Sequence, residues 1–220
     1  MVKKILNLMI YFLLRFKKKY FEDYTWKGKF KTPNECNLVD FKLNKTAINY
    51  YKEATKKFKG PEDIELTGRH TILPVLVSNI KENKINILDF GGSSNPGISY
   101  LIKSCDGDFS STIIETGIFV ENFKNKVPDI YKDKINYKDS FKNLNLDLFD
   151  ICYFGCSIQY IQNYKEILNK VFDSKIKYIV ITETFFNFSN EDFFVSTTED
   201  DQPYLANRFF SYDKFLKLFI

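Results

Sequence analysis

The sequence predicts an α/β protein built on a parallel sheet. Three observations carry that prediction. Short apolar runs alternate with helix-compatible stretches between residues 85 and 182. Parallel strands are buried on both faces, so they read as such runs, and they need helical crossovers between them. The first run ends in Gly91-Gly92, a tight turn where a strand would give way to a helix. The second run ends in an acid, Glu115, which lies 24 residues after Gly91.

The five runs are 85–90 (INILDF), 111–115 (STIIE), 134–137 (KINY), 149–154 (FDICYF) and 177–182 (KYIVIT). KINY is the weakest of them. Residues 98–104, 119–123 and 164–172 read as the helices between strands. Ahead of the sheet, residues 44–59 suit a helix with Tyr50, Tyr51, Ala54 and Phe58 on one face, and Gly60-Pro61 stops it. Residues 67–81 suit a second helix, with Ile72, Leu73, Leu76, Val77 and Ile80 aligned. Residues 20–34 hold the single Trp with Gly28 and Pro33, and they read as a loop. Three regions follow: a helix over 1–20, a helical cap over 21–83 and the sheet domain over 84–220.

Composition narrows the chemistry. The chain has 220 residues, 44% of them hydrophobic, enough for one domain with a core. There are 32 Lys+Arg against 28 Asp+Glu. Residues 1–20 carry Lys3, Lys4, Arg15, Lys17, Lys18 and Lys19 and no acid, so the remaining body is net negative. A broad nucleic-acid-binding face is not expected of such a body. One histidine excludes any site that needs two imidazoles, and no metal site is expected. The four cysteines, Cys36, Cys105, Cys152 and Cys156, form no C-x-x-C pair and read as reduced thiols of a cytosolic protein. Cys152 and Cys156 lie in an apolar run and read as small core residues.

The segment 5–14 is too short to cross a bilayer. On a helix, Val2, Ile5, Leu6, Met9, Phe12, Leu13 and Phe16 share one face and most of the bases share the other. That pattern suits an anionic membrane surface, and it suits docking on a partner or on the protein's own domain equally well.

Ligands of open α/β sheets bind beyond the carboxyl ends of the strands. Those ends here offer several candidates. Asp89-Phe90-Gly91-Gly92 leads through a turn to Gly97 and a helix start, though a structural tight turn would look the same. Glu115 can accept hydrogen bonds from both hydroxyls of a ribose, or it can be a solvated strand-end carboxylate. Asp139-Ser140-Phe141 follows the third run and can face a base. Ser157, Gln159 and Tyr160 follow the fourth. Thr182-Glu183-Thr184 ends the fifth and leads into a Phe-rich stretch, 185–194, that reads as core or as a hydrophobic lid. His70 is the only imidazole, and it serves either as a general base or as a helix-start residue.

Taken together, Asp89-Phe-Gly91-Gly92, Glu115 and Ser157-Ile158-Gln159-Tyr160-Ile161 resemble the S-adenosylmethionine-dependent class I methyltransferases. With Tyr24-Thr-Trp26-Lys-Gly28-Lys-Phe30 added, the chain resembles more narrowly a family of methyltransferases associated with bacterial surface-polysaccharide gene clusters. The resemblance implies a Rossmann-like sheet of parallel strands in the order 3-2-1-4-5 with helices on both faces. It implies S-adenosyl-L-methionine as cofactor, with Asp89, Gly91, Gly92 and Gly97 at its amino-acid end, Glu115 at its ribose, and Asp139 and Ser157 nearby. It also implies a sugar or glycan acceptor, with His70, Glu183 and Tyr160 as candidate catalytic groups. The chain departs from the family where an acid-Arg-Thr-Pro-like segment would follow the fifth strand. Strands 6 and 7 of the family's sheet are expected to be missing, which leaves the fifth strand as an exposed edge for a second copy or a partner chain. A nucleotide-sugar- or NAD-binding protein and a non-catalytic remnant are the alternatives, although G-x-G-x-x-G is absent.

Overall fold

A computed structural model describes residues 25–38, 56–66, 68–199 and 202–220. The expected helix over 1–20, most of the expected helix over 44–59, and Tyr24 lie outside the described residues. The strands are β1 (Thr25–Phe30), β2 (Lys84–Phe90), β3 (Asp108–Ile114), β4 (Ile135–Lys138), β5 (Ile151–Gly155), β6 (Tyr178–Thr182), β7 (Phe186–Asn187), β8 (Phe193–Glu199) and β9 (Gln202–Ser211). The α-helices are α1 (Ile72–Ser78), α2 (Gly97–Ser104), α3 (Gly117–Phe123), α4 (Tyr164–Phe172) and α5 (Tyr212–Leu216). No described helix is long and apolar enough to cross a membrane.

The described residues fall into two compact units: those within 50–184, and those before residue 50 together with those of 185–220. These boundaries differ from 20 and 83. Of the region 21–83, Phe58, Leu73 and Val77 pack in one buried cluster with Ile87, Ile98 and Ile113 of the sheet domain.

The first unit is a Rossmann-like α/β layer. Its five strands run in the order β4-β3-β2-β5-β6, every neighbouring pair parallel. This is the order 3-2-1-4-5. β2 is the central strand, and Ile85, Ile87, Leu88 and Phe90 on it are all buried. Crossovers are right-handed, so helices that carry the chain outward from β2 in opposite directions lie on opposite faces. Leu73, Val77, Leu101 and Phe123 of α1, α2 and α3 cover the face of Ile85 and Ile87. The Tyr164, Ile167, Leu168 and Val171 stripe of α4 covers the other. α1 begins later than expected, after a 3-10 turn over Gly68–Thr71. Its buried face is Leu73, Pro74 and Val77, while Ile72 is exposed. Phe141, a candidate for stacking on a base, is instead buried edge-to-face against Phe90.

The second unit is a four-stranded sheet in the order β1-β8-β9-β7. Residues 25–30 are therefore a strand rather than a loop. Gly28 suggested a break, and it occupies one: its φ of +75° falls where the register with β8 shifts, as a glycine-bearing bulge does. The Phe-rich stretch, expected as core or as a hydrophobic lid, includes the start of strand β8. Phe193-Phe-Val-Ser-Thr-Thr is a run of aromatic and β-branched residues that pairs antiparallel with β9. Trp26, Phe185 and Phe209 gather in the same unit, with ring centroids 5.0–5.1 Å apart. Among the described residues the parallel sheet carries no antiparallel sixth or seventh strand, and β6 is its edge.

Candidate functional site

β2 lies where the chain's crossovers diverge, toward β3 on one side and β5 on the other. A crevice opens at such a point beyond the carboxyl ends of the strands. Here it is lined by His70, Asp89, Gly91, Gly92, Asn95, Gly97, Tyr100, Tyr153, Gly155, Thr182 and Glu183. All belong to the first unit. Its volume is about 70 Å³, small beside the roughly 300–1,000 Å³ of ordinary ligand sites. That volume has room only for the end of a cofactor-sized molecule.

Asp89 forms its floor. The side chain is 1% exposed. One carboxylate oxygen, Oδ2, accepts the Gly97 backbone N–H at 2.8 Å, at the start of α2. The other, Oδ1, is buried and has no partner. Burial pushes the carboxyl up to about 7, against the opposing Gly97 hydrogen bond and with help from the Glu115 charge. Asn95 Oδ1 is a second buried acceptor without a partner, while the same amide donates to the Tyr100 hydroxyl.

Three glycines shape the walls by having no side chain. A Cβ on Gly92 would stand 2.8 Å from Asp89 Oδ2. One on Gly97 would meet the Tyr153 ring at 2.8 Å, and one on Gly91 would meet Ser157 Cβ at 2.6 Å. Ser157 thus packs behind the turn rather than on the crevice, and its buried Oγ has no partner.

Glu115 sits at the end of β3 beside the same turn. It accepts the Ser93 N–H at 2.9 Å and the Thr116 N–H at 3.0 Å. Burial raises its pKa, and those two bonds oppose the rise. The Tyr137 hydroxyl donates to the Ser93 carbonyl at 2.6 Å, so the Gly91–Asn95 turn is held from both sides. Each Glu115 oxygen keeps a second lone pair for a ligand.

The opposite rim carries His70 and Glu183. The His70 ring stacks on Tyr100 with centroids 4.3 Å apart. Glu183 is exposed and, at φ +55°, adopts a left-handed backbone. Asp139 is exposed past β4, and Tyr160, 40% exposed, lies on the turn Ile158–Tyr160; neither lines the crevice. Gln159 is buried and ties two turns together rather than facing the crevice.

Tyr100, Tyr153 and Asn95 are not among the residues the sequence singles out. A signal for Tyr153 was present. Asp89 and Tyr153 each stand two residues before a strand-end glycine, Gly91 and Gly155, and they are register partners in adjacent parallel strands. Partners in register face the same side. The Tyr153 hydroxyl lies 3.5 Å from Thr182 Oγ1, and burial raises its pKa to about 12.

No family model matches the sequence, and no curated protein matches it. Among solved structures the chain is similar to the N-terminal domain of EvdMO1, crystallised in the presence of SAH and D-fucose. The TM-score is 0.51 at 10% identity, over 82% of this chain and 85% of that one. The likeness is one of fold: a Rossmann-like parallel sheet.

Proposed function

We propose that the protein is an S-adenosylmethionine-dependent methyltransferase that O-methylates a sugar of a cell-surface polysaccharide or its lipid-linked precursor. The observation that carries this reading is Asp89: a buried carboxyl with one unpartnered oxygen, on the floor of a glycine-walled crevice at the diverging strands. An unpaired buried acceptor is costly, and a cationic donor relieves that cost. The α-ammonium of S-adenosylmethionine is such a donor, and Asn95 Oδ1 gives it a second acceptor. The residues present therefore fit the cofactor. Gly91, Gly92 and Gly97 line the crevice that would take its amino-acid end, and Glu115, beside the same turn, would take its ribose. The fold neighbour, crystallised in the presence of SAH and a sugar, supports the same assignment.

Bound there, S-adenosylmethionine supplies an electrophilic methyl group on a sulfonium. Asp89 and Asn95 would hold its ammonium, and Glu183, Tyr100 and Tyr153 line the same crevice. Either His70 or Glu183 takes the proton from the acceptor hydroxyl as it becomes a nucleophile. The basic segment 1–19 would bring this chemistry to the cytoplasmic membrane face, where lipid-linked sugars reside.

Calorimetry on the folded full chain tests the reading. We expect binding of S-adenosylmethionine with a dissociation constant between roughly 1 μM and 1 mM, and binding of S-adenosylhomocysteine as well. No heat with either ligand, at concentrations above that range, refutes it. Glu115→Ala is expected to weaken the affinity by about tenfold to a hundredfold, because it removes the ribose acceptor and frees the Ser93 turn. An unchanged dissociation constant would remove Glu115 from the site.

A further inference from the structure

Gln159 is 1% exposed and sits directly after β5, on the turn Ile158–Tyr160. Its Nε2 donates to the Cys156 carbonyl at 3.1 Å and to the Glu183 carbonyl at 3.4 Å, and lies 3.3 Å from Cys156 Sγ. Two carbonyl acceptors around one atom fix the orientation of the amide, since only the nitrogen can donate. The opposite atom, Oε1, is buried with no partner. The amide is therefore held from its donor side alone, and a buried polar group satisfied on one side is an expensive choice for filling space.

What the donor holds is unusual. Cys156 and Glu183 are two of the four non-glycine residues described with positive φ, at +57° and +55°. L-residues avoid this region because Cβ crowds the following carbonyl. Strain of this kind persists only where surrounding contacts over-determine it. The Cys156 N–H also donates to the Thr182 carbonyl at 3.0 Å. The turns after β5 and β6 are thus joined by the strand ladder at one point and by Gln159 at the next. These turns place Gly155, Thr182 and Glu183 on the crevice.

We propose that Gln159 is a positioning residue: its buried amide locks the left-handed turns at Cys156 and Glu183 and thereby aims the Glu183 carboxylate into the crevice. It does not touch the ligand. The role rests on the cofactor reading above, because its readout is the affinity for S-adenosylmethionine.

A double-mutant cycle on the full chain tests it. Gln159→Met keeps the volume and removes the donor; Gln159→Glu keeps the outline and serves if the first variant does not fold. Each is combined with Glu183→Ala, and thermal unfolding is recorded beside the calorimetric dissociation constant. We expect Gln159→Met to weaken S-adenosylmethionine binding about tenfold, the scale of one lost hydrogen bond. In the Glu183→Ala background we expect no further loss, since there is no carboxylate left to aim. A purely structural role would lower the affinity by the same factor in both backgrounds. Full additivity, or an unchanged affinity in Gln159→Met, overturns the proposal. Absence of any binding by the folded wild-type chain overturns the cofactor reading itself, and this inference with it.

Discussion

Replacing Asp89 with asparagine is expected to weaken cofactor binding by at least about a hundredfold while making the unliganded protein more stable at pH 8. The two effects share one cause. Asp89 is buried, its pKa is raised from 3.8 to about 7, and one of its oxygens has no partner. Because the folded state binds this proton more tightly than the unfolded chain does, the unfolded chain loses it first as pH rises. Stability from this group is therefore present below about pH 4, is lost as pH climbs through 7, and is flat above. The full difference is on the order of 4 kcal/mol. Asparagine keeps an acceptor for the Gly97 N–H and carries no charge to bury. Asp89→Asn should thus match the wild type near pH 4, exceed it by a few kcal/mol at pH 8, and lose the decline between. For the ligand the sign reverses. An ammonium needs the carboxylate, so wild-type affinity for S-adenosylmethionine should fall roughly tenfold for each pH step below 7 as Asp89 takes up a proton. Asparagine would turn an N–H toward the cation and cost at least about a hundredfold. Denaturant titrations at pH 4, 6 and 8, with calorimetry at pH 6 and 8, read both arms. Equal stability of wild type and Asp89→Asn at pH 8, or a pH-independent affinity, would show that Asp89 neither bears this strain nor meets the cation.

The crevice was legible where its residues end strands. Asp89, Gly91, Gly92 and Gly97 follow one another along β2, its turn and α2, so local sequence placed them together. Glu183 closes β6, and parallel register brings its turn beside that of β5. His70 needed long-range packing to arrive, and the Tyr100 ring receives it. The same rule of strand ends points to Asp139 and Tyr160, but both are exposed and neither lines the crevice. The second sheet was hidden for a different reason. β1 pairs with β8 across more than 160 residues, and no periodicity reports a pairing at that distance. Each strand alone looked like a loop with a glycine or a run of phenylalanines. β8 is buried from Phe194 to Thr198 as fully as a central parallel strand, but three of those five residues are Ser or Thr, so no apolar run marks it as the five parallel strands are marked.

Gly91→Ala should be among the most damaging single-methyl changes in the first unit. Gly91 has φ +77°, and its N–H donates to the Ile114 carbonyl at 3.0 Å, so the conformation is fixed by β3. Alanine there pays the left-handed penalty of about 1 kcal/mol. Its Cβ would also lie 2.6 Å from Ser157 Cβ, far inside contact distance. Ser157 cannot retreat, because it leads into Ile158 and Gln159, at 0% and 1% exposure. Overlap in a packed interior adds roughly 1–3 kcal/mol. The sum of roughly 2–4 kcal/mol lowers the melting temperature by about 5–12 °C, and any relief by moving the turn shifts Gly92 and Ser93 off the ligand and off Glu115. Gly117→Ala is the control. Nothing lies within 4 Å of its Cβ and it starts α3, so it should be neutral or slightly stabilising. The steric and conformational costs can be separated. Ser157→Gly removes the obstructing Cβ, so the double variant Gly91→Ala/Ser157→Gly should recover the overlap and keep only the backbone penalty, apart from what Ser157→Gly costs alone. If Gly91→Ala melts with the wild type, the turn is softer than its hydrogen bonds imply. If the double variant recovers nothing, the damage comes from the left-handed backbone and not from Ser157.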